Sequence, residues 1–98
     1  MRAPSRVGLL PPPENPRLVL TGKSGELKFI FDRVKNAVNY SVQTAATATG
    51  PWTDEELSTT TRIVIGGLNP GEILWARACA NGSAGASEWS APTTAMAV

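Results

Sequence analysis

The stretch that decides the fold is "GGLNPGEILWARACANG", Gly66 to Gly82. It opens on a turn, Asn69-Pro70-Gly71, where the proline presets φ and the glycine tolerates a conformation that other residues avoid. From Leu74 the chain alternates. Leu74, Ala76, Ala78 and Ala80 fall on one side, Trp75, Arg77 and Cys79 on the other. That is the period of two of a β-strand. A slip of one residue exchanges the two faces. Burying the second set places a guanidinium in the core without an evident partner, at a cost of several kcal/mol. Burying the first set buries nothing polar. The strand is therefore expected to turn its small row inward. Phe29, Phe31, Tyr40, Ile63 and Ile65 are the side chains available to fill the space above it. Ala76 and Ala78 are expected to lie directly under large side chains of an opposing sheet.

The outer row of the same strand carries Trp75, Arg77 and Cys79. Trp89, in "SEWS", is expected to begin the following strand and to bring its ring onto Arg77. A cation–π stack of this kind contributes ~0.5–2 kcal/mol. Trp75, Arg77 and Trp89 thus form either a ladder that pins the last hairpin or an aromatic contact face. Isolated surface aromatics are ordinary, which favours the ladder. Cys79 is either an inert, half-buried thiol, the preferred reading, or an outward one able to join two copies.

The rest of the chain reads in the same period. "RLVLTG" is a short strand closed by a glycine turn at "GKSG". In "ELKFIFD", Leu27, Phe29 and Phe31 point one way, Lys28 and Ile30 the other. In "AVNYSVQTA", Tyr40 and Val42 share a face against Ser41 and Gln43. "TGPW" breaks the pattern, and "TDEELST" follows as a polar edge, too short and too polar for a helix. "TTRIVIGGL" places Ile63, Ile65 and Leu68 inside. "GSAGASEWSAP" is a turn, and "TTAMAV" closes with Thr94, Met96 and Val98 in alternation. About seven short strands, with turn signals every 8–12 residues, predict an all-β, immunoglobulin-like sandwich of two antiparallel sheets.

Composition agrees. A chain of 98 residues with 42% hydrophobic and 17% charged residues reads as one folded domain. "LLPPPENP" makes residues 1–15 an extended, unpaired arm or linker, with the domain proper at 16–98. A formal net charge of +1 implies no basic face for nucleic acid. No apolar run reaches the ~18 residues of a membrane helix, so membrane insertion is not expected.

Catalytic chemistry is thin. The sequence contains no histidine, which removes Ser-His-Asp and Cys-His arrangements and the usual zinc sites. Asp54-Glu55-Glu56 lack the alternating spacing and glycine of a calcium loop, and the same caution covers Glu72. "GKSGE" lacks the upstream glycine of a phosphate loop. No catalytic, cofactor or metal residue is assigned. Lys28, Arg33, Lys35 and the acids near Trp52 are expected to blunt sheet edges. Ile30, Val64 and Leu57, if adjacent, would form a sticky patch.

These residues resemble a fibronectin type III domain from about Pro16 to Val98, in the style of repeats in bacterial and phage surface proteins. The resemblance rests on "GELKFIFD", "AVNYSVQ", "GLNPG" before a strand with alternating alanines, and "GASEWSAP". Members of that family typically carry a tryptophan where this chain has Phe31. A corner tyrosine stands where it has Leu74, and bulkier residues where it has Ala76 and Ala78. "SEWS" also resembles the second half of the WSxWS box of cytokine receptors, with Ala86 in place of the first tryptophan. That function is not carried over. The resemblance implies a non-catalytic protein-interaction or spacer module, one unit of a larger extracellular, cell-surface or virion protein. Two alternatives stand beside it. One is a small structural protein that self-associates through an edge strand or Cys79. The other is a carbohydrate-contacting accessory domain using Trp52, Trp75 and Trp89.

Overall fold

The computed structural model describes residues 10–55, 57–83 and 85–98. Eight strands run in chain order: β1 (Arg17–Leu20), β2 (Leu27–Ile30), β3 (Asn39–Ala45), β4 (Thr53–Asp54), β5 (Arg62–Ile65), β6 (Ile73–Gly82), β7 (Gly85–Ala86) and β8 (Thr93–Met96). They form two antiparallel sheets. One has three strands in the order β1-β2-β5. The other has five, in the order β4-β3-β6-β7, with β8 also paired to β6. The count exceeds the expected seven by β7, a two-residue piece in the segment read as a turn.

The parity of β6 is the expected one. Leu74 is 6% exposed, and Ala76, Ala78 and Ala80 are fully buried. The space over the alanines is filled from two directions. Within the sheet, Ala76, Ala78 and Ala80 face Thr44, Val42 and Tyr40 of β3 in register. From the other sheet come Leu27, Phe29 and Ile65, in the same buried cluster. Phe31 is the residue that stands where the resemblance sets a tryptophan. It lies 5.2 Å from the Phe29 ring and meets Tyr40 edge-on at 4.9 Å, geometries that add to area burial. Ile63 and Leu68 are half-buried against this cluster. At the C-terminus Ala97 is buried, while Thr94, Met96 and Val98 face outward.

Two corners are tied by side chains. Buried Tyr40 Oη accepts the Val34 backbone N–H at 3.0 Å, fixing the loop between β2 and β3. At the Asn69–Glu72 turn, Glu72 Oε1 accepts the Asn69 N–H at 2.9 Å. Gly71 N–H and Glu72 C=O both bond to Ala97 at 2.8 Å. A carboxylate and the last strand thus hold the corner where Leu74 replaces the tyrosine.

Three expectations are corrected. The described part of the arm is attached to the domain. Leu10 packs on the core, Pro13 is buried, and Glu14 C=O accepts the Asp32 N–H at 2.8 Å. Residues 1–9 lie outside the described residues. Lys28 guards no edge, since β2 is the central strand of its sheet. Ile30 stands opposite Arg62 rather than Val64, so the aliphatic residues of that outer face are diagonal neighbours.

Tyr40→Phe leaves the Val34 N–H buried without an acceptor. It is expected to cost about 1–3 kcal/mol, read as a lower urea midpoint with an unchanged denaturant slope.

Candidate functional site

Arg77 leaves the outer face of β6 and lies between two indole rings. Its guanidinium carbon is 4.2 Å from the Trp52 ring centroid and 4.6 Å from that of Trp89. The contact with Trp89 is the expected one. Trp52, from a separate strand margin, supplies the second face. Trp75 shares the outer face two residues away, half-buried between Ala45 of β3 and Thr94 of β8. The face expected from Trp75, Arg77 and Trp89 therefore gains Trp52 as the second partner of the stack.

The edge of the guanidinium is fixed as well as its faces. Arg77 Nε and Nη2 both donate to Gln43 Oε1, at 2.9 and 2.6 Å. Gln43 stands opposite Arg77 in the β3–β6 register, and Asp54 stands opposite Gln43 across β3–β4. Gln43 Nε2 donates to Asp54 Oδ1 at 2.7 Å. A polar row thus crosses three strands, with an amide between cation and anion. The amide serves both neighbours there, because it accepts at one end and donates at the other.

Backbone turns deliver the two rings. Trp52 follows a turn in which Gly50 has φ +95°. A Cβ on Gly50 would stand 2.9 Å from Trp52 Cδ1, so the glycine is required both for the turn and for the ring beside it. Thr47 Oγ1 closes this turn on Gly50 C=O at 2.6 Å.

Trp89 does not begin a strand. It sits in a segment that pairs with β6 through two serines. Ser87 N–H donates to Ala80 C=O and Ser90 N–H to Ala78 C=O, both at 2.7 Å. In return, Ser87 Oγ accepts from Ala80 N–H at 2.9 Å and Ser90 Oγ from Ala78 N–H at 3.0 Å. The hydroxyls stand in for the carbonyls of a regular strand, meeting the buried backbone groups of β6. Trp89 lies between these anchors, over Arg77.

Of the two readings of Cys79, the structure stands nearer the preferred, inert thiol than the outward one, and it buries the side chain rather than half-burying it. It has the parity of the outer row, yet it is only 4% exposed. Its sulfur lies 3.9 Å from Asn81 Oδ1. Asn81 Nδ2 in turn bonds Asn39 Oδ1 at 2.8 Å and Ser41 Oγ at 2.9 Å. These side chains belong to the β3–β6 ladder, and the thiol is buried among them. The acids considered for metal bind the sheet instead. Besides the Asp54 bond, Glu55 Oε2 accepts from Thr44 Oγ1 at 2.9 Å. Glu56 lies outside the described residues.

The stack holds a loop, a strand margin and the β7–β8 connection to one side chain, and it leaves a clamp rather than a reaction centre. Sequence reasoning named Trp52 as an aromatic but did not bring it to Arg77, because its place depends on a tertiary turn, although "TGPW" marked that turn.

No family model and no curated protein sequence matches the chain. Solved structures do. An Fn3-like protein from Clostridium thermocellum superposes with a TM-score of 0.77 at 19% identity, over 84% of this chain and 86% of that one. FN3tt gives 0.76 at 12% identity, over 91% and 92%. Domains A168–A170 of titin give 0.79 at 18% identity, over 91% of this chain and 32% of the larger one. The chain has the fibronectin type III fold.

Arg77→Lys keeps the charge but loses the flat, forked geometry. It is expected to destabilise the domain by roughly 1–2 kcal/mol and to shift tryptophan emission to the red. Cys79 is expected to react with a thiol reagent slowly in the native state and rapidly in urea.

Proposed function

We propose that this chain is a non-catalytic interaction or spacer module, one unit of a larger surface or secreted protein. The observation that carries this reading is the engagement of its chemically able side chains in holding the sandwich together. Arg77 is clamped between rings and bonded to Gln43, Tyr40 ties a loop, and Cys79 is buried. The same fold in titin is one part of a longer chain, which supports a modular role. Localisation outside the cell and a protein partner are parts of the proposal that follow from the resemblance.

The carbohydrate reading requires aromatic faces open to a sugar ring. Trp52 and Trp89 each turn a face to Arg77, and all three tryptophans are half-buried. That disfavours a sugar platform. The test is tryptophan fluorescence with acrylamide, in the presence and absence of saturating soluble polysaccharides such as xylan and glucan. The spacer reading expects intermediate quenching that no polysaccharide alters. Protection of the tryptophans by one polysaccharide would replace it with the carbohydrate reading.

A further inference from the structure

The outer face of the three-stranded sheet is patterned in a way the stack does not use. The register places Arg17, Ile30 and Arg62 in one row across β1, β2 and β5, and Val19, Lys28 and Val64 in the next. All six side chains have outward parity. Each cation is flanked across the strands by aliphatic residues, and like charges meet only on diagonals, where repulsion is smaller. Val19 is 37% and Val64 54% exposed, and Arg17 and Arg62 are exposed. The face is therefore basic and aliphatic at once. Glu26 and Asp32 bound it, the first bonded to Thr21 and the second 3.9 Å from Arg17.

The strands of the two sheets differ in charge. Among the described residues, Arg77 is the one cation on the strands of the five-stranded sheet, and the stack encloses it. Asp54, Glu55, Glu72 and Glu88 lie on that sheet or its connections. Asp54 and Glu55 are exposed, and Leu57 beside them is 63% exposed. One oxygen of each carboxylate is held by Gln43 or Thr44, so both are ordered before any partner arrives. The described residues of this segment offer two acids and a leucine, the complement of a face made of cations and aliphatic residues.

We propose that this face is a docking surface for a second copy of this chain, which sets its Asp54, Glu55 and Leu57 against Arg62, Lys28 and Val64. The two complementary patches adjoin: Glu55, Leu57, Arg62 and Val64 line one hollow at the same flank of the sandwich. A two-fold rotation about that flank lets each copy give its acidic segment and receive the other's, which closes the pair. Within the chain these charges are not used up. Among the described residues the single ion pair within 4.0 Å is Arg17–Asp32. Exposed ion pairs are individually weak and screened by salt, so the pair is a low-affinity one.

Sedimentation velocity across a concentration series, at low salt and at ~0.5 M salt, tests it with the full chain. Wild type is expected to associate at low salt and to dissociate at high salt. Arg62→Glu and Glu55→Arg, each folded by circular dichroism, are each expected to weaken association by about tenfold or more. Mixing the two variants, or combining both substitutions in one chain, is expected to restore it. A wild type that stays monomeric at every concentration overturns the proposal, as does failure of the charge swap to restore pairing. A monomeric wild type that binds a poly-glutamate peptide on this face would assign it to a foreign acidic polypeptide, and so would also overturn it.

Discussion

A guanidinium does not sit unpaired in a hydrocarbon layer, and that constraint on Arg77 sets the architecture of the larger sheet. With Arg77 outward, the inner positions of β6 fall to Leu74 and three alanines. A thin row of that kind would leave voids if its neighbours were also small, and voids cost both transfer and dispersion energy. The volume is supplied by Tyr40 and Val42 alongside and by Phe29 and Leu27 across the sandwich. Phe31, smaller than the tryptophan of the family pattern, is compensated by its contacts with two aromatic neighbours. The aromatic bulk that is modest in the core stands outside it, around Arg77.

The fold was legible because alternation is a local property. Leu27, Phe29 and Phe31, then Tyr40 and Val42, then the alanines of β6 each declare an inner face without reference to any other strand. The Arg77–Trp89 contact was legible for a related reason, since "SEWS" follows β6 closely and must return along it. What stayed hidden depends on distant parts of the chain. Trp52 reaches Arg77 through the turn at Gly50 and the β3–β4 pairing. Ser87 and Ser90 replace strand carbonyls with hydroxyls, so the segment carries no alternation to read. Cys79 has the parity of an exposed residue, and its burial comes from neighbours on β3 and β6. The attachment of Leu10 and Pro13 was hidden by proline content, which reports backbone stiffness and not contact.

The two outer faces solve different problems with similar residues. On the larger sheet, a cation is enclosed by rings and joined to an anion through Gln43, so its charge is spent internally. On the smaller sheet, Arg17, Lys28 and Arg62 are spaced by Val19, Ile30 and Val64. The first arrangement rigidifies, because removing any member leaves another without its partner. The second preserves charge and apolar area at the surface, where both remain available to a partner.

That contrast bears on how a domain of this fold acquires specificity. The sandwich and its clamp set stability and shape, which unrelated members of the fold also achieve at identities below 20%. Fold alone therefore selects no partner. Partner choice is left to surface positions that the core does not constrain. In this chain the unconstrained positions are sorted by sign. Asp54 and Glu55 stand at β4, and Arg17, Lys28 and Arg62 stand on β1, β2 and β5. Sorting opposite charges onto separate faces forgoes favourable pairing within the molecule. It gains a directed field, which steers association and penalises wrong orientations. A spacer that only separated its neighbours would lose nothing by mixing those charges.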